Sequence, residues 1–519
     1  MSLHDPEPQP VGEMKLQFLG AATTVTGSQF LLTTDRARVV IDCGLFQGSP
    51  AETERSRVPL AYDPTGIDAV LITHAHLDHC GYLPVVVREG FAGPVILTRA
   101  TAELASLVLF DSAKIQREQA RSRQERATRL ARREARESER LGADPPWEAG
   151  AIADHEAVLR SQPPAIATRD LEPLYEEDDA AAAVALFHPI EYASPEVVAP
   201  GIRATFVDAG HILGSAIIVL DVEEGRGPAR RLVFSGDLGR PGTPIIRDPT
   251  VITEGADYVL MESTYGGREH EPADEAIRLL AEIVREVASH KGVLLIPAFA
   301  IGRTQEIVWH LDRLLTAGDV PHLPLYLDSP MASLAGDIYH RYPGFYDDET
   351  FALLEAGETP LDYPGAQVTT TVASSRAIGV ASRPMVIVAS SGMLTGGRIV
   401  NHLRELIDDP GALLLFVGYQ GEGTLGAHLQ AGARRARIDG AERDVRCQVR
   451  SISGFSAHAD ESELLDWLAP FAQSERKPRR VFLVHGDPDA LTALEPKVRA
   501  LGLQPYRPAW REEVDLDLL

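Results

Sequence analysis

The run His74-Ala75-His76-Leu77-Asp78-His79 limits what this chain can become more than any other feature. Three imidazoles and a carboxylate fall within six residues, directly after the apolar stretch 69–72. Imidazole and carboxylate are the usual oxygen and nitrogen ligands of zinc, and a catalytic site takes three protein ligands and leaves a position for water. Side chains alternate faces along an extended segment, so His74 and His76 point the same way and serve one ion. Asp78 and His79 lie past a turn, within reach of a second. A solvated polar loop, or an adventitious metal site, is the competing reading.

Four ligands are too few for two catalytic metals. Three further residues have the same setting, a lone polar group beside glycine at the end of an apolar strand. They are His211 in DAGHILGSA, Asp237 in FSGDLGR and His485 in VFLVHGD. Small neighbours permit close backbone approach and sharp turns. Each alone reads as an ordinary turn residue; beside the histidine run they read as the missing ligands.

Around these motifs the chain alternates short apolar runs with helical stretches. Strands are expected at 15–19, 29–32, 38–41, 69–72, 202–207, 215–222 and 231–235, a sheet-rich α/β layer over the first 240 residues. From about residue 274 longer helices (277–289, 304–315) alternate with strands such as 292–296, 384–389 and 413–417, the rhythm of a second α/β unit with a parallel sheet. Short strands and a helix at 462–468 return after Cys447.

Composition excludes several classes. With 44% hydrophobic and 24% charged residues the chain is an ordinary globular protein, and no run approaches the roughly 20 apolar residues that span a bilayer. Its start, MSLHDPEPQP, has neither the basic residues nor the apolar core of a signal peptide, so a cytoplasmic location is expected. The three cysteines, Cys43, Cys80 and Cys447, form no CxxC pair and indicate neither a disulfide framework nor a thiolate metal site. A net charge of −25 argues against a uniformly basic nucleic-acid surface, although bound metals supply positive charge locally. The segment 114–140 runs against that trend, with ten basic and five acidic residues. It reads as a solvated helix, although Arg129/Arg133, Arg132/Arg136 and Arg136/Arg140 are like-charge i,i+4 pairs that an anionic partner would relieve. The Pro- and Ala-rich stretch 142–168 reads as a loop.

HxHxDH, a later histidine and then GD together resemble the metallo-β-lactamase superfamily. The roughly 250 residues between Asp237 and His485 resemble one branch of it, as do LMESTYG with Glu262, GFSAHAD with His458 and VHG with His485. These look like motifs A, B and C of the β-CASP nucleic-acid-processing branch. The resemblance implies a metallo-β-lactamase αββα sandwich with an inserted α/β β-CASP domain. It divides the chain into 1–260, an insert at 261–444, and 445–519, with the elaboration near 114–168.

It also implies roles. His74, His76 and His211 would bind one zinc, and Asp78, His79 and His485 the other. Asp237 would bridge them, and Asp42 in VVIDCG would support the site by orienting a ligand. Two zinc ions are expected, with manganese as the alternative. A hydroxide bridging them would hydrolyse an RNA phosphodiester to 5′-phosphate and 3′-hydroxyl ends, with His458 as acid and Glu262 orienting it. Glycine-rich turns feeding helices present backbone N–H groups to anions. On that ground Gly302 and Arg303 in FAIGRTQE are candidate substrate contacts. So are Ser390, Ser391, Gly392, Gly396, Gly397 and Arg398 in ASSGMLTGGRI, together with Ser456. The expected partners are single-stranded RNA and, in a homodimer, a second copy of the chain, with no membrane. A thioester or lactone hydrolase would need neither the insert nor His458 with Glu262. A non-catalytic scaffold would have lost ligands that are all present here. DNA-processing relatives lack a histidine at motif C, so His485 favours RNA.

Overall fold

A computed structural model describes residues 14–142, 172–223, 228–421 and 423–518. Two seven-stranded sheets lie face to face. The first runs in the order Glu513–Asp515, Lys15–Phe18, Phe30–Thr33, Arg38–Ile41, Ala69–Leu71, Val95–Thr98, Phe187–Ile190. The second runs Pro505–Tyr506, Arg480–Leu483, Tyr258–Met261, Arg230–Phe234, Ala216–Val222, Ile202–Asp208, Glu196–Ala199.

Strand periodicity explains the layering. Tyr258 and Leu260 join Phe18, Phe30, Phe234 and Phe482 in the core between the sheets. Val259 and Met261 point the other way, onto Leu464, Leu468 and Phe471 of the helix Glu461–Gln473. Both faces of these strands are buried, so they read as continuous apolar runs rather than alternating ones. Val40, Val70 and Leu97 of the first sheet likewise turn outward, toward the helices Leu83–Arg88 and Arg99–Gly142. The result is the expected αββα sandwich.

A third sheet of six parallel strands is built by the middle of the chain, in the order Gln367–Val368, Leu325–Asp328, Met385–Ala389, Val293–Pro297, Ala412–Phe416, Gln448–Ser451. Leu294 and Ile296 pack with the helices Ala273–His290 and Arg303–Thr316, and Val293 and Leu295 with Arg398–Leu406 on the opposite face. Gln448–Ser451, beyond the boundary expected at residue 444, pairs with Ala412–Phe416 and forms the edge of this sheet.

The Arg-rich segment is the continuation of one helix, Arg99–Gly142. Its first turns are buried against the sandwich, and Arg121 to Glu125 are exposed, Arg121 pairing with Glu125. The side chains of the three like-charge pairs beyond Arg129, and the loop expected up to residue 168 past its first residue, lie outside the described residues. Among the described residues no helix is long and apolar enough to cross a membrane.

Candidate metal centre

The ligand candidates meet because strands of both sheets end at one edge of the sandwich. Asp42 follows Arg38–Ile41, and the histidine run follows Ala69–Leu71. Asp237, Glu262 and His485 follow Arg230–Phe234, Tyr258–Met261 and Arg480–Leu483. His211 sits in the turn between the antiparallel strands Ile202–Asp208 and Ala216–Val222, where its N–H donates to Ser215 Oγ at 3.0 Å.

Two donor clusters result. In one, His76 Nδ1 is 3.1 Å from His74 Nε2 and 3.2 Å from His211 Nε2. Asp237 Oδ2 lies 3.5 Å from His74 Nε2 and 3.6 Å from His211 Nε2. In the other, His79 Nε2 and His485 Nε2 are 3.3 Å apart, and Asp78 Oδ2 is 3.7 Å from His485 Nε2. Asp237 Oδ1 faces this second cluster, 3.2 Å from His79 Nε2. Asp237 thus turns one oxygen to each. Asp78 and His79 reach their cluster from the short helix Leu77–Cys80, which begins just after His76.

The residues fit metal ions. Asp237 Oδ1 is buried and accepts no aligned hydrogen bond, although nitrogens crowd around it. Three imidazole nitrogens converging with a carboxylate oxygen are more acceptors than their own protons can satisfy, and they are the donor set that zinc favours. Burial pushes the His74 and His211 imidazoles well below the usual histidine range, whereas Asp237 and Asp42 outweigh burial and hold His79 well above it. Burial opposes a charge on Asp237 too, but the surrounding histidines, His485 and His79 foremost, hold its carboxyl well below the usual range.

A second ring of contacts fixes the first. Asp42 Oδ2 is 2.7 Å from His79 Nδ1, which directs that ring's Nε2 into the site. Asp42 is itself held by the amide and hydroxyl of Thr73, at 2.8 and 2.9 Å. The Ala457 carbonyl lies 3.2 Å from His211 Nδ1 and does the same for that ring. Thr73 escaped the sequence reading, as did Thr264, whose hydroxyl is 3.2 Å from His485 Nδ1. Their only signal is nearness in sequence, Thr73 beside His74 and Thr264 two residues after Glu262.

His458 stands beside this centre, its ring 4.6 Å from that of His211. Its Nδ1 is 3.1 Å from Glu262 Oε1. Burial disfavours a charge on His458, but Glu262 outweighs it and raises the pKa above the ordinary histidine value. Glu262, Asp237 and His458 could themselves hold an ion. Glu262 is poorly suited to that, because Leu238 N and Thr264 N donate to its two oxygens at 2.9 and 3.1 Å.

The expected substrate contacts are less uniform. Arg303 is buried at the start of its helix and bonds Glu306 at 2.5 Å. Arg398 bonds the buried Asp328 at 2.6 Å and the carbonyls of Thr369 and Thr370 at 2.9 Å. Both guanidinium groups therefore have a carboxylate partner within the inserted unit. Ser456 is buried and accepts from His458 N at 3.3 Å. Ser391 Oγ accepts from Thr395 N at 3.1 Å, and Ser390 Oγ donates to Ser329 Oγ at 2.8 Å. A Cβ on Gly397 would lie 2.3 Å from the Ser390 carbonyl, and one on Gly392 would lie 2.9 Å from the Phe299 ring. Nothing crowds a Cβ on Gly396.

Comparison with known proteins agrees with this fold. Residues 22–155 match the metallo-β-lactamase superfamily, residues 304–429 the Beta-Casp domain, and residues 442–508 the Zn-dependent metallo-hydrolase RNA specificity domain. The chain is 38% identical to Ribonuclease TTHA0252 of Thermus thermophilus over 93% of its own length and 95% of that protein's. It is 30% identical to the transcription termination factor FttA of Methanosarcina mazei, over 93% of this chain and 69% of that one. The factor of the same name from Methanocaldococcus jannaschii is 29% identical over 94% and 69%.

Proposed function

The chain belongs to the metallo-β-lactamase superfamily, as a member with an inserted Beta-Casp domain, and from that premise we propose that it is a metal-dependent ribonuclease. The observation that carries the reading is His458. It is an imidazole tied to a buried carboxylate and placed against the metal cluster, which plain ester hydrolysis would not require.

We assign His74, His76 and His211 to one ion, Asp78, His79 and His485 to the other, and Asp237 to both. The donors suit two zinc ions, with manganese the alternative. When bound, such ions would supply Lewis-acid chemistry, lowering the pKa of water and offsetting phosphoryl charge. The chain's own residues do the rest. Asp42 and the Ala457 carbonyl keep His79 and His211 in the tautomer that turns Nε2 inward. Glu262 takes the Nδ1 side of His458, so Nε2 is free to donate a proton to the leaving 3′-oxygen. The products are a 5′-phosphate and a 3′-hydroxyl. Arg303, Arg398, Ser391, Gly392, Gly397 and Ser456 are the proposed substrate contacts. We place the inserted unit at 261–451, adding Gln448–Ser451 to the earlier division because it completes the third sheet.

The test is purified protein with single-stranded RNA labelled at its 5′ or 3′ end, with and without chelator. Chelator-sensitive cleavage is expected; mononucleotides would mark 5′-exonuclease action and internal fragments endonuclease action. Ester hydrolysis without RNA cleavage under varied metals would overturn the reading, and DNA as sole substrate would redirect it.

A further inference from the structure

Three phenylalanines are substantially exposed among the described residues, Phe110, Phe299 and Phe351. Only Phe299 makes a ring contact with a histidine of the metal cluster, its centroid 6.1 Å from that of His76. It is 37% exposed. An apolar ring more than a third open to water beside a polar centre keeps surface that the folded chain does not cover.

The surroundings hold Phe299 in place. Its carbonyl accepts from the Thr304 hydroxyl at 2.7 Å and from the Thr304 amide at 3.2 Å. Gly302, three residues on, has φ +83°, and a Cβ there would lie 2.7 Å from Ile212, the neighbour of His211. The turn is therefore pressed against the loop that carries a ligand. Behind the ring, the Cβ of any residue but glycine at 392 would meet Phe299 at 2.9 Å. The two glycine-bearing turns singled out in the sequence thus meet at this ring.

We propose that Phe299 is a stacking platform for the base of a nucleotide flanking the scissile phosphodiester. The inference rests on the ribonuclease reading. Every base has a π-face, so an aromatic ring receives unpaired bases with little regard to sequence, and replacing such a ring by alanine costs about fivefold to 150-fold in binding. The ring would favour single-stranded over base-paired RNA, whose bases are already stacked.

The experiment compares wild type, Phe299→Ala, Phe299→Leu and Phe299→Trp on a short single-stranded RNA of defined cleavage site. The same RNA is also made with an abasic ribonucleotide at each position flanking the scissile bond in turn. Both Ala and Leu variants should lose about tenfold in kcat/KM on intact RNA, and Trp should restore it. On one of the abasic RNAs wild type and Phe299→Ala should become equal, which also identifies the stacked nucleotide. A loss of the same size on every abasic RNA, or no loss on intact RNA, overturns the platform while leaving the ribonuclease reading in place. Failure of wild type to cleave any RNA overturns both.

Discussion

At the scale of single residues, the centre depends on which atom each side chain presents. His458→Ala should abolish RNA cleavage while the metal content, measured by elemental analysis, stays at the wild-type level; loss of the metals would make His458 a ligand instead. Glu262→Gln bears on the pH profile. His458 gives its proton away, so activity falls as pH rises through its pKa, and the Glu262 carboxylate holds that pKa up. The alkaline limb should therefore move to lower pH in Glu262→Gln, and an unmoved limb would assign the proton to another group. Asp42→Asn should weaken metal binding by about 10- to 100-fold, since Asp42 orients His79 from behind. Gly239 makes a different demand. A Cβ there would fall 1.6 Å from the Gly210 carbonyl, between the loops of Asp237 and His211. Gly239→Ala is expected to lower metal occupancy although no ligand changes.

Elements matter because they carry these atoms to one edge. Phe482 is fully buried in the strand that ends at His485, its ring 5.1 Å from that of Phe18 across the sandwich. Phe482→Ala should cost about 3–5 kcal/mol in denaturant unfolding, the usual range for emptying such a site. Asp328 does comparable service in the third sheet. Fully buried at a strand end, it accepts from Ser375 at 2.5 Å, Arg398 at 2.6 Å and His402 at 2.6 Å. Burial opposes its charge, but these partners prevail and hold its carboxyl well below the ordinary carboxylate range. Its contribution is present above the unfolded-state pKa and is lost as pH falls through the folded one. Acid should therefore destabilise the wild type more than Asp328→Asn, measured by thermal unfolding between neutral and strongly acidic pH.

For the whole molecule, the inserted unit is anchored next to the chemistry. Tyr339, on the helix Pro330–Arg341, accepts at its hydroxyl from Leu213 N at 3.3 Å, two residues from His211. Arg341 and Tyr342 reach Glu103 on the long first-sheet helix, Tyr342 at 2.6 Å. From the other side, Tyr419 bonds Asp487, two residues beyond His485. The unit is thus tied to the sandwich beside His211 and beside His485.

The candidate metal run was legible in the sequence because ligand chemistry is local. Imidazole and carboxylate spaced along one strand end can be recognised without neighbours, and His211, Asp237 and His485 carry the same mark of a polar residue beside glycine after an apolar strand. The sandwich and the parallel sheet were legible too, since buried strands and amphipathic helices differ in period. Pairings across hundreds of residues were not. That one Asp237 oxygen faces each cluster, that Arg303 and Arg398 are claimed by Glu306 and Asp328, and that Phe299 stands open beside His76 all depend on distances between segments remote in sequence. Residue type alone fixes what a side chain can bond; only the packed fold decides which of its possible partners is near enough.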